Sequence, residues 1–138
     1  MARVCGIGIT GKSAIFILLN GDKNKFVIEK IDTKKINLED DLGQESVITF
    51  SKKVHKIFID HNIKDVYIKR PSTSGRFQAS PTAFKIETII QLEFLQVNLV
   101  APQTIAALLK KDNRMEEAKD QVLKYQIPAL EAAFYGLK

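Results

Sequence analysis

Apolar positions follow two rhythms along this chain, and the changes of rhythm divide it into elements. From 4 to 19, VCGIGITGKSAIFILL is apolar almost throughout and is broken only by Thr10-Gly11-Lys12. That pattern predicts strand 4–9, a tight turn, and strand 13–19. Asn20-Gly21-Asp22 follows, and Asn-Gly between apolar runs is the strongest short-range hairpin signal. Phe26-Val27-Ile28 then resumes as a third antiparallel strand running toward Ile31. Residues 32–43 are polar and turn-rich, and they read as a connection.

From 44 to 62 the period changes. Val47, Ile48, Phe50, Val54, Ile57 and Phe58 recur at helical spacing, with Lys52, Lys53 and Lys56 on other faces. Val66-Tyr67-Ile68 makes a short strand of strong β formers. The stretch 70–80, RPSTSGRFQAS, has loop composition. Ser80-Pro81 supplies an N-cap with Pro at the first helical position, and predicts a helix to about 94. Residues 97–100 form another strand, Ala101-Pro102 opens a helix through 109, and 115–138 reads as helix interrupted or kinked near Pro128. The order βββαβαβαα is an antiparallel meander followed by alternating helices and strands. It predicts one α/β domain over 1–138, a mixed sheet with helices on its faces.

Composition adds bounds. With 45% apolar and 27% charged residues over 138 positions, the chain has the make-up of an ordinary globular domain. No apolar run approaches the roughly 18 residues of a membrane span. Met1-Ala2-Arg3 enters a strand with no apolar leader and cleavage site, so the expected compartment is the cytoplasm. The lone Cys5 reads as a small core residue, and His55 and His61, with no cysteine near them, give no zinc pattern. Twenty-one basic against sixteen acidic residues leave +5, an excess that favours a polyanion without requiring one.

Gly6, Gly11, Lys12 and Ser13 satisfy the phosphate-loop pattern G-x-x-x-x-G-K-[ST]. That loop needs a helix after it, and only the short run 14–19 stands before the next turn, so the hairpin reading wins. Thr10, Gly11 and Lys12 remain candidates for holding a phosphate in the turn, beside the simpler reading of a positive-φ glycine and a solvated lysine. Lys69, Arg70, Arg76 and Lys85 form the best candidate cationic site, and Phe77 could stack on a base. A merely solubilising loop fits the same residues, and both readings stay open. Glu39-Asp40-Asp41 reads as charge favourable to the N-terminus of the helix that follows.

Several stretches resemble a known fold family. GIGITGKSAIFILL resembles the first hairpin of the RuvC Holliday-junction resolvases, VYIKRP their fourth strand, and VNLVAPQTIAALLK their fifth strand and following helix. GITGKSAI, SGRF, FKIETIIQL and YQIPALEAAF resemble a family of small bacterial proteins classed as a domain of unknown function with this fold. The resemblance implies a ribonuclease H-like fold. In the resolvases a carboxylate cluster holds a pair of Mg²⁺ ions that activate water. It also implies that the first two carboxylate positions fall here on Gly8 and Lys69, and the last pair near Tyr125 and Pro128, with Glu131 a turn further on.

Glycine cannot ligate Mg²⁺, and lysine puts a positive charge where the cation should sit. The expectation is therefore a non-catalytic module, without cofactor, that binds nucleic acid or another phosphate-bearing ligand. One alternative is a divergent nuclease whose Mg²⁺ would be held by Glu87, Glu131 and a further carboxylate that the sequence does not place, with the two glutamates facing a common cleft; the simpler reading sets both on solvated helix faces. Another is a protein-interaction module. The second half of the helix after Ser80 and the terminal LEAAF segment are apolar enough to suggest a homodimer.

Overall fold

The computed structural model describes residues 2–72 and 80–138. The first hairpin forms as expected, β1 (Arg3–Thr10) and β2 (Ser13–Gly21), joined by Gly11-Lys12 with Gly11 at φ 59°. The positive φ is what the two-residue turn demands of its first residue, and glycine supplies it without a Cβ clash. β3 (Phe26–Glu29) pairs antiparallel with the far half of β2. A short strand that the sequence reading took for connection, β4 (Lys35–Asn37), pairs with the near half of β2, Ala14 opposite Ile36. Only Ile36 and Leu38 among its neighbours are apolar, too short a pattern to stand out from the polar residues around it.

α1 (Gln44–Asp60) and β5 (Asp65–Lys69) follow, then α2 (Pro81–Gln91), β6 (Gln96–Val100) and α3 (Pro102–Lys111). The chain end is not one kinked helix. Two 3₁₀ turns, Glu116–Gln121 and Lys124–Gln126, precede α4 (Ile127–Gly136), so Pro128 sits in the first turn of a helix. Proline is tolerated there because the N–H it lacks would have no intrahelical partner. The sheet runs β3-β2-β1-β5-β6, with β1, β5 and β6 parallel and their carboxyl ends together.

Strand alternation sends side chains to two different layers. Cys5, Ile7, Ala14, Phe16, Leu18, Val66 and Ile68 face α1 and α2, where they meet Phe50, Val54, Phe58, Ile86 and Ile90. Val4, Ile15, Ile17 and Leu19 face α4 and meet Leu130, Ala133 and Phe134. Each fully buried large apolar side chain contributes about 1.5–3 kcal/mol relative to exposure. Cys5 is part of the first layer, and burial pushes its thiol up to about 12. Leu130, Ala132, Ala133 and Phe134 are completely buried inside the chain itself, which removes the LEAAF segment as a ground for a dimer. On α2, Ile89 and Ile90 are buried too.

Candidate functional site

The strand ends carry the candidate residues. Gly8 of β1 lies directly opposite Lys69 of β5 in the parallel ladder. Both face α4, whose first turn closes over Gly8: a Cβ added there would lie 3.0 Å from Pro128 Cβ and from Ala129 N. Gly6, one repeat back, is closer still, because an added Cβ would run into the carbonyl oxygen of Ala129. The glycines of β1 thus let a helix backbone rest on a strand backbone.

Beside that contact, Lys69 Nζ donates to Glu131 Oε1 at 2.8 Å, and both side chains are mostly buried. Arg70, the next residue, points to the opposite face of the sheet. There its Nε and Nη2 donate to the two oxygens of Glu87 at 3.1 and 3.0 Å. Glu87 is only 5% exposed. The two-pronged bond raises the guanidinium's pKa, with the charge of Glu87 as a second cause. The backbone N–H of Arg70 also continues the ladder to the Val100 carbonyl at 2.9 Å.

Glu87 and Glu131 therefore do not share a cleft. One lies in the α2 layer and the other beside α4, with the sheet between them, and each already holds a cation of β5's end. Each carboxylate is engaged by its own cation, on opposite faces of the sheet, and the two do not converge on one position. Among the described residues no three His, Cys, Asp or Glu side chains converge as a metal site would require. Of the resemblance-derived positions, Gly8, Lys69 and Pro128 come together in space, whereas Tyr125 falls in the 3₁₀ turn ahead of α4, under the Lys35 ammonium.

Of the other candidate cations, Lys12 and Lys85 are also paired. Lys12, in the exposed turn with Thr10 and Gly11, reaches Glu39 at 3.1 Å, and this hydrogen bond, then the lysine's charge, holds the Glu39 carboxyl below its usual range. The Lys12 carbonyl accepts from Leu38 N at 2.7 Å, tying the turn to the segment after β4. Lys85 donates to the Asp41 carbonyl at 2.5 Å, and Thr82 to the Asp41 carboxylate at 2.9 Å, so the acidic stretch anchors the first turns of α2 as well as preceding α1. Arg76 and Phe77 lie outside the described residues. Sequence reasoning missed Lys110, which borders the same end of the sheet as Lys69. Its signal was available, since Pro102, Ile105, Ala106, Leu109 and Lys110 recur at helical spacing on one face.

A mixed sheet with an antiparallel meander, helices on both faces and this strand order is the ribonuclease H-like fold of the RuvC resolvases. Thermus thermophilus RuvC superposes with a TM-score of 0.74 over 96% of this chain and 92% of its own, at 9% identity. T. thermophilus RuvC in complex with Holliday junction substrate gives 0.72 over 97% and 91%, at 10% identity. The chain itself belongs to the family described as protein of unknown function (DUF3010), whose model matches residues 2–136. No curated protein matches it. Identities this low carry the fold and leave the chemistry to the site.

Proposed function

We propose that this chain is a non-hydrolytic module that binds nucleic acid at the carboxyl ends of β1, β5 and β6. The observation that carries this reading is the Lys69–Glu131 bond at the meeting point of Gly8, Lys69 and Pro128. If the resemblance-derived correspondence of Gly8 and Lys69 holds, an ammonium takes the place of the cation of a resolvase-like site and a helix backbone the space of its first carboxylate. In open α/β sheets ligands bind at the carboxyl ends of the strands. The structural neighbour described with Holliday junction substrate makes a nucleic acid the first ligand to try here.

Lys12, Lys69, Arg70, Lys85 and Lys110 edge this end of the molecule, and four of them are already neutralised internally. Binding should therefore be moderate in affinity, with a salt slope that reflects only a few phosphate contacts. The test is a titration of labelled single-stranded, duplex and four-way-junction DNA at low and moderate salt, with Mg²⁺ present and the products run on a gel. Salt-sensitive binding without cleavage, weakened by Arg70→Ala with Arg76→Ala, is the expected result. Mg²⁺-dependent cleavage that survives purification to constant specific activity would overturn it.

One observation favours a second reading, a protein-interaction module. Leu92 is 69% and Phe94 107% exposed, flanking Glu93, which lines a groove with the 64% exposed Ile59. Apolar side chains this open in neighbouring positions mark interaction surfaces. A stable complex or dimer lost in Phe94→Ser, with no DNA bound at any salt, would establish that reading instead.

A further inference from the structure

We propose that the groove between α3 and α4 is the seat of a single nucleotide, its base against α3 and its phosphate on Lys69 and Lys110; this deepens the nucleic-acid reading above and rests on it. The groove encloses about 310 Å³, the lower end of the roughly 300–1,000 Å³ that small-molecule sites occupy. That is room for one nucleotide unit rather than a stacked run. Its floor is apolar, made by Pro102, Ile105, Ala106 and Leu109. Ile105 is anchored beneath by Val100 and Ala132, so the floor is part of a packed cluster and is not a surface accident.

The rim is polar and has a definite charge. Lys69 and Lys110 stand against Glu131 alone, which leaves one net positive charge, the charge that a single phosphodiester neutralises. Lys69 is held in place by Glu131 at 2.8 Å, whereas Lys110 has no carboxylate partner among the described residues. The groove of about 780 Å³ between β4 and α1 offers a contrast. There Lys35, Lys53 and Lys56 face Asp32, Glu39 and Asp60, a balance that gives an anion no advantage. A mononucleotide therefore fits the smaller groove in size, in floor and in charge.

Ala106 and Lys110 are exposed on α3, so both can be replaced without touching the core. Anisotropy of a labelled oligothymidylate is measured over a salt series for the unmodified chain, Ala106→Trp and Lys110→Ala. In parallel, thymidine 5′-monophosphate is titrated against ¹⁵N-labelled protein. Ala106→Trp, which fills the groove, should weaken oligonucleotide binding about tenfold with an unchanged salt slope. Lys110→Ala should lower the slope of log K against log salt by about 0.7, one phosphate contact on a single strand. The mononucleotide should move the amide signals of residues 105–110 and 131. If the unmodified chain and both variants bind the oligonucleotide alike, the groove is refuted and the broader reading stands. If the mononucleotide moves those amides although no oligonucleotide binds, the seat stands and the nucleic-acid module falls. No shift and no binding overturn both.

Discussion

The two faces of the sheet are closed by different means. Against α1 and α2, large side chains interlock: Phe16 meets Phe58 edge-on with ring centroids 6.2 Å apart, and Phe50, Ile86 and Ile90 fill the layer around them. Against α4, Val4, Ile15, Ile17 and Leu19 pack around a centre where almost no side chain separates helix from β1, because Gly6 and Gly8 meet Ala129 and Ala133, and Gly136 meets the Tyr67 ring. The first face can adjust to a changed volume by rotamer shifts. The second cannot, since backbone would have to move against backbone. It is this rigid face, and not the forgiving one, that carries Gly8 and Lys69.

The sharpest way to break that contrast is Gly6→Ala. The new methyl group has no position that avoids the Ala129 carbonyl and the Ala133 amide, and the loss expected is above about 5 kcal/mol, comparable with the whole stability of a small domain. Urea denaturation reads it, and a variant that unfolds near the parental midpoint would show that α4 is not seated as described. On the other face Phe58→Ala should cost about 3–5 kcal/mol and Ile90→Val only about 0.5–1.5. Graded losses there beside an abrupt one at Gly6 are what two modes of packing predict.

How much of this was legible in the sequence follows from the same contrast. The interlocking face announces itself, because Phe50, Val54, Ile57 and Phe58 recur at helical period and β1 and β2 are unbroken apolar runs. The glycine face does not, since Gly6 reads as part of a phosphate-loop pattern and Gly8 as a position where a carboxylate is missing until α4 is laid on them. Lys69 and Arg70 were legible as cations and illegible as staples. Neighbouring strand residues point to opposite faces, and only the fold shows that each finds its glutamate on a different helix. The alternative in which Glu87 and Glu131 face a common cleft lacks that one fact. The end of the chain was misread because the polar and apolar spacing of 115–126 is helical in period, while the packing of Met115 and Ala118 is achieved by 3₁₀ turns.

The two staples can be compared directly by double-mutant cycles. Arg70–Glu87 is two-pronged and its carboxylate is deeply buried, whereas Lys69–Glu131 is a single bond between partly buried groups. Arg70→Met with Glu87→Gln should give a coupling of about 1–3 kcal/mol. Lys69→Met with Glu131→Gln should give less, about 1 kcal/mol or below. Equal couplings would mean that geometry and burial do not rank these pairs, and that the sheet's two faces are stapled alike.

The smallest effect is expected at the rim of the α4 face, where polar groups tie the β2–β3 turn to the end of the chain. Lys23 donates to the carbonyls of Tyr135 and Leu137, and Arg114 bonds both Asn24 and Asp112. Hydrogen bonds from Arg114, side chain first and then backbone, bring the Asp112 carboxyl down to about 2. A carboxylate whose pKa is lowered by folding stabilises the native state above its unfolded value, and that stabilisation is lost as pH falls through the folded value. The advantage of the parental chain over Asp112→Asn should therefore be constant above about pH 4 and close between there and about 2. Urea midpoints across that range measure it. Because Asp112 lies in a surface loop and its partner Arg114 is open to solvent, screening should keep the advantage small throughout. If Asp112→Asn instead released α4 at neutral pH, the clasp and not the glycine contact would be holding that face shut.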